Sequence, residues 1–390
     1  MKLSPFRLLC GAGLAAIFSS TISKNPVLPL FASHLGGEPS WIGFIAGVSA
    51  FTGIVASIPA GLLSDRVGRK RLLVASGVVF ASAPFLYLGV TVLWQLALVR
   101  FFHGFATAIF MPVGMALVSD LYRTGRGERL GWFSSSTLAG RFIAPMAGGA
   151  LITLLAYDPE LGFRAVYAVC GAAGVIALVL MWKLPVERER IADRRSWRQD
   201  LARFRSLISH RVIVVTAVIE AAILFSYGAF ETFLPLFALE HGVSALGVGV
   251  FLSAQIVTLA ATKPLMGRFS DRHGRPPQIV AGTLLGAACM VALPLTGSFL
   301  PMLAVSVVFG LSLSVVTSAT AAFIADSSTR ESHGSAMGIL GSLMDIGHTT
   351  GPLAAGFLAG YYGLGWSFIG AAVVLALAAL VFQGAVRAGS

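Results

Sequence analysis

Charge is what this chain has least of. Of its 390 residues only 12% are Asp, Glu, Lys or Arg, while 56% are hydrophobic, and the mean hydropathy is +0.83. Soluble domains carry roughly 25% charged residues, so a water-soluble globular fold is excluded. Cysteine is scarce as well. Cys10, Cys170 and Cys289 lie far apart in separate apolar runs, which indicates neither a disulfide framework nor a metal cluster. Long polar stretches are also missing, and no connection has room for a separate soluble domain. There is no visible nucleophile–base pair, His-rich metal set or phosphate-binding loop. Most enzyme classes are thereby excluded, and neither cofactor nor metal is expected.

What the chain has instead is long apolar runs. A helix needs about 20 residues to cross a hydrocarbon core of about 30 Å. Spans are expected near 6–31, 41–62, 72–90, 93–118, 131–156, 164–183, 212–239, 244–266, 278–297, 300–325, 336–360 and 365–386. The fold class is therefore an all-α membrane protein with twelve transmembrane helices. Lys2 and Arg7 precede an apolar stretch that runs on to Phe31 with no small-x-small cleavage site, so it is read as a first span rather than a signal peptide.

The net charge of +11 falls almost wholly in alternate loops. Arg66, Arg69, Lys70 and Arg71 share one side with Arg123, Arg126 and Arg129, the arginines of 188–205, Arg268, Arg272, Arg275 and Arg330. By the positive-inside rule that side is cytoplasmic, as are both termini. The excess is topological, and no nucleic-acid partner is expected. Between Pro185 and His210, Trp197, Leu201, Phe204 and Ile208 recur at helical spacing among arginines. An amphipathic helix lying on an anionic bilayer is expected there.

The sequence also repeats itself. Gly61-Leu-Leu-Ser-Asp65-Arg66-Val-Gly68-Arg69 returns as Gly267-Arg-Phe-Ser-Asp271-Arg272-His-Gly274-Arg275, an offset of 206 residues that also carries Pro29 onto Pro235 and Asp120 onto Asp326. The chain thus divides into 1–184, a linker at 185–210, and 211–390. A polytopic chain of two homologous halves is the mark of a secondary transporter, with its site at their interface.

Three elements carry a resemblance to a known family. One is the duplicated loop just quoted. Another is Arg100-Phe-Phe-His103-Gly104 in the fourth span. The third is the fifth-span pattern Gly131, Gly140, Ala144-Pro145, Gly148-Gly149, with a degenerate copy at Gly338, Gly347, Gly351-Pro352 and Gly356. The chain resembles the major facilitator superfamily and, within it, the twelve-helix drug:proton antiporters. Ala144 stands where the antiporter pattern usually has Gly. The resemblance implies two pseudo-symmetric six-helix bundles, a conformational latch in the duplicated loops, a part in proton coupling for Arg100, and export.

Intramembrane ionisable residues are expensive and mark function. Here they are Lys24, Arg100, His103, Arg141, Glu220, Glu231, Asp345 and His348, and none falls in spans 3, 6, 9 or 12, which the resemblance places toward lipid. Lys24, Arg100 and Arg141 occupy the first half, and Glu220, Glu231 and Asp345 the second. Opposed charges across a cavity are expected to pair and part during transport. Glu231 and then Asp345 are the candidate proton carriers, with Glu220 continuing the path. Lys24, Asn25, Arg141, His103, His348, Tyr227 and Phe230 are the candidate substrate contacts. Many antiporter relatives have an acid in the first span where this chain has Lys24-Asn25-Pro26, which favours an anionic or zwitterionic solute. The expectation is a proton-coupled exporter of a small organic molecule, a multi-pass monomer in the inner membrane, partnered by solute, protons and lipid. Uptake of an organic anion and lipid flipping remain as alternatives.

Overall fold

The computed structural model describes residues 4–122, 124–185, 211–327 and 333–387. Among them thirteen α-helices follow in order: α1 (Pro5–Ile22), α2 (Val27–His34), α3 (Pro39–Val67), α4 (Arg69–Leu86), α5 (Leu93–Leu121), α6 (Arg126–Leu154), α7 (Pro159–Trp182), α8 (Arg211–Glu240), α9 (Ala245–His273), α10 (Arg275–Ala292), α11 (Phe299–Asp326), α12 (His333–Tyr362) and α13 (Leu364–Arg387). No strand occurs among the described residues. In hydrocarbon every backbone N–H and C=O must be paired within the protein, which a helix does by itself. Eleven of the expected spans are long and apolar enough to cross a membrane, and the remaining one, α12, has 30 residues. The interfacial helix expected in 185–210 falls outside the described residues.

The first span departs from expectation. Instead of running unbroken, it stops at Ile22 and restarts at Val27. Pro26 has no N–H to donate, and the N–H groups of Lys24 and Asn25 both turn back to the Thr21 carbonyl, at 3.0 and 2.9 Å. The Ser23 hydroxyl donates to the Ser20 carbonyl at 2.8 Å. Lys24 and Asn25 therefore sit on a turn within the span.

The sequence repeat is a structural repeat. α3, α4 and α5 begin at 39, 69 and 93, and α9, α10 and α11 at 245, 275 and 299. Even the short 3-10 turns match, Tyr87–Gly89 with Leu293–Leu295. Two compact units result. Unit 1 comprises α1–α7 with Ser244–Ser253, and unit 2 comprises α8, the remainder of α9, and α10–α13. Leu9, Ala12, Phe80, Ala106, Phe110, Phe133 and Met181 form part of the core of unit 1. In unit 2, Ile213 and Ala217 pack with Ile324, Ala336 and Leu340.

In both units the first and fifth spans pack backbone to backbone. A Cβ added at Gly140 of α6 would collide with the Leu14 carbonyl of α1, and one at Gly347 or Gly351 of α12 with the Ala221 or Phe225 carbonyl of α8. Only small residues permit that approach, which compensates for the weak hydrophobic drive between helices in lipid. Gly148 faces Ile22 and Val27, on either side of the break, and Gly149 meets the Ala245 carbonyl within the same unit. Pro145 is buried inside α6. Gly131 departs from the expected role, because open space surrounds it.

Candidate functional site

In unit 2, Glu231 is only 2% exposed and lies nine residues before the end of α8, about 14 Å into the helix. Nε2 of His348, from α12, lies 2.8 Å from its Oε1. The close α8–α12 approach at Gly347 and Gly351 brings them together. The ring of Tyr227, one turn earlier on α8, meets the His348 ring edge-on at 5.5 Å. Asp345 is half-buried three residues before His348. Three expected site residues, Glu231, His348 and Tyr227, thus converge. Glu220 is separate. It is also 2% exposed, and the Thr320 hydroxyl of α11 donates to its Oε2 at 2.6 Å. Thr320 was not anticipated, since a threonine in an apolar span carries no distinguishing pattern.

Unit 1 has a different polar centre. Arg100 of α5 is 3% exposed and donates to Ser49 Oγ at 2.9 Å, and to Ser23 Oγ and the Tyr87 hydroxyl at 3.4 Å each. None of these partners is a carboxylate. Ser23 is the C-cap of α1, so the guanidinium sits at the negative end of that helix dipole. The Tyr87 hydroxyl is 3.4 Å from Nδ1 of His103, and the Tyr87 ring stacks on Tyr167 at 4.2 Å, nearly parallel.

Two expected substrate contacts lie inside this packing. His103 is 2% exposed and turns its ring toward Phe80 and Tyr87, so it belongs to the interior of unit 1. Phe230 has no exposed surface and packs on Phe309 at 5.0 Å, so it is core. Asn25 is buried and Lys24 half-buried at the break, while Arg141 is exposed.

The duplicated loops form one network twice. Arg69 Nε donates to Asp120 Oδ2 at 3.1 Å, and Arg275 Nε to Asp326 Oδ2 at 3.1 Å. Each arginine also donates to the serine five residues before it, Ser64 or Ser270. Arg275 additionally pairs with Asp271 at 2.5 Å. Gly68 and Gly274 take φ of +101° and +90°, where a Cβ is strained. Gly267 has open space around it, and Arg272 is exposed. The side chains of Gly61, Asp65 and Arg66 lie outside those described. The acids Asp120 and Asp326 were marked by the 206-residue offset, although their pairing with Arg69 and Arg275 was not foreseen.

Two repeated helical bundles with ionisable groups held inside them define the class: a membrane transporter of duplicated construction. The chain belongs to the Major Facilitator Superfamily, which it matches over residues 8–261 and 216–388. It is 25% identical over 374 residues to an uncharacterized MFS-type transporter of Methanocaldococcus jannaschii, covering 93% of this chain and 91% of that one. It is likewise 25% identical over 366 residues to the multidrug resistance protein MdtG of Proteus mirabilis, covering 91% and 87%. Among solved structures, a bacterial homolog of the human lysosomal transporter Spinster, inward-facing and unoccupied, superposes with a TM-score of 0.83 at 17% identity, covering 98% of this chain and 96% of that one. The nucleoside transporter NupG gives a TM-score of 0.79 at 12% identity, covering 99% and 100%.

Proposed function

We propose that this transporter is a proton-coupled exporter of a small organic solute, working by alternating access in the inner membrane with both termini in the cytoplasm. The observation that carries the reading is the Glu231–His348 pair. A carboxylate and an imidazole bonded deep in a membrane bundle change net charge when a proton is taken up or released. Moving that charge across hydrocarbon is costly, so the protonation state of the pair biases which conformation is populated. Asp345, three residues from His348, offers a second carboxylate on the same helix, and Glu220 a third farther along α8. Export is favoured by the glycines of α6 and by the multidrug-resistance relatives. In this reading the Arg69–Asp120 and Arg275–Asp326 networks, with Gly61, Asp65 and Arg66, latch one conformation.

The test is growth of an efflux-deficient bacterial host on a broad panel of toxic organic compounds, making the wild-type chain or Glu231→Gln at matched levels. Wild type is expected to raise the tolerated concentration of at least one compound, and Glu231→Gln to abolish the gain. Equal protection by both chains refutes coupling through Glu231. Absence of protection, or greater sensitivity, refutes export.

A further inference from the structure

The first span is broken in unit 1, whereas its counterpart in unit 2, α8, runs unbroken from Arg211 to Glu240. Pro26, whose place is taken by Thr232 at an offset of 206, accounts for the interruption itself, because its ring nitrogen has no hydrogen to donate. It does not account for how the broken end is held. A helix end leaves its last carbonyls without intrahelical partners, and in hydrocarbon these must be met within the protein. Here the Ser19 carbonyl accepts from the Ser23 N–H at 3.3 Å and from Cys170 Sγ at 3.0 Å. The Ser20 carbonyl accepts from the Ser23 hydroxyl at 2.8 Å, and the Thr21 carbonyl from the N–H groups of Lys24 and Asn25. The broken end is thus a built structure with Ser23 at its centre.

Arg100 joins that structure to the rest of unit 1. Its Nη1 donates to Ser23 Oγ and to the Tyr87 hydroxyl at 3.4 Å each, and its Nη2 to Ser49 Oγ at 2.9 Å. One side chain of α5 therefore spans the end of α1, a serine of α3 and the turn that follows α4. The Ser23 hydroxyl gives its hydrogen to the Ser20 carbonyl, which leaves its oxygen to accept from the guanidinium. A guanidinium carries donors only, in a rigid planar fork, which suits it to holding several oxygen acceptors in one fixed arrangement.

The repeat supplies an internal comparison. The 206-residue offset carries Ser23, Ser49, Tyr87 and Arg100 onto Ala229, Gln255, Leu293 and Ser306. The Ser306 hydroxyl donates to the Met302 carbonyl of its own helix at 2.8 Å and ties no other helix to it. The arginine and its hydroxyl acceptors thus accompany the broken span and are replaced where the span is continuous. The same offset carries Asn25 onto Glu231, so the turn next to Ser23 occupies the place in unit 1 that the buried carboxylate occupies in unit 2.

We propose that Arg100 is a positioning residue: by holding Ser23 it sets the turn that carries Lys24 and Asn25, candidate contacts for the solute, and it acts on transport through that turn. This rests on the transport reading above and gives Arg100 a part in it other than carrying a proton.

The test is amide hydrogen exchange of the full chain in lipid nanodiscs, read at Lys24, Asn25 and Leu28, with α8 and α12 of unit 2 as the reference. Arg100→Gln is expected to speed exchange at those three amides about tenfold or more, the scale of a lost hydrogen bond to a charged group, and to leave α8 and α12 at wild-type rates. Ser49→Ala decides the matter even where Arg100→Gln folds poorly, because the Ser49 hydroxyl lies on α3 and is linked to the break through Arg100. It should speed the same amides several-fold. Unchanged exchange at the break in Ser49→Ala, or an equal rise in α8 and α12, overturns the proposal. In the growth assay above, Ser49→Ala should also lose part of the wild-type protection, and full protection despite faster exchange overturns the positioning role in transport. Where the wild-type chain itself protects against nothing, export is refuted, and the exchange rates alone decide whether Arg100 holds the break.

Discussion

Replacing Gly347 with alanine tests whether backbone contact between α8 and α12 holds the Glu231–His348 pair in place. The new Cβ would lie 2.9 Å from the Ala221 Cα, against about 3.5–4.0 Å for unstrained carbon contacts, and closer still to the carbonyl oxygen. The two helices would have to part by about 1 Å. His348 is the next residue, so its 2.8 Å contact with Glu231 would open beyond the 2.7–3.2 Å range of a good hydrogen bond. Overpacking of this kind costs about 1–3 kcal/mol, partly offset by the 0.5–1 kcal/mol by which alanine improves on glycine in a helix, roughly. A net loss of up to about 2.5 kcal/mol follows. Cys170 and Cys289 are buried free thiols, so a thiol-reactive fluorescent dye reports unfolding directly. Gly341, on the same helix, has open space around its Cβ position, and Gly341→Ala supplies the control. Gly347→Ala should unfold several degrees lower than wild type, and Gly341→Ala no lower. If Gly347→Ala unfolds with or above the control, close contact does not govern this interface.

Two more expectations use the same dye. Gly68→Ala and Gly274→Ala should each cost about 1–2 kcal/mol, the scale of left-handed backbone at a residue with a Cβ, while Gly53→Ala, a helical position with open space, should not; stability unchanged in both would contradict the strained joint. Thr320→Val should destabilise by about 1–3 kcal/mol, because buried Glu220 loses its hydroxyl donor, whereas Thr320→Ser should stay near wild type, and equal behaviour of the two would remove the hydroxyl from the account.

What could be read from the sequence was what repeats locally or follows from length. Twelve spans follow from apolar runs and the thickness of hydrocarbon, and Gly68 and Gly274 from a duplicated loop whose backbone only glycine adopts easily. Gly140 was legible because small residues spaced along one face mean close helix contact; the same pattern overreached at Gly131, where no neighbour approaches. Glu231 could be picked out as a costly buried charge, but its bond to His348 could not, since the two are 117 residues apart and meet only through α8–α12 packing. The break at Ser23 to Pro26 is invisible to average hydropathy. Tyr87 and Tyr167 look like ordinary apolar filling until the fold sets Arg100 and His103 beside Tyr87. For the same reason His103 and Phe230, plausible as contacts for a solute, turned out to be interior residues.

The joint at Gly68 has a mechanical consequence. One residue closes α3 and opens α4, and Arg69 ties the joint to the end of α5 through Asp120. With no slack between them, a displacement at the end of α3 is transmitted to α4 and α5 instead of being absorbed, as in a braced strut. The same construction recurs at Gly274 with α9, α10 and α11. Tags, linkers or fusion partners inserted at either joint would add compliance there, so insertion sites are better sought elsewhere.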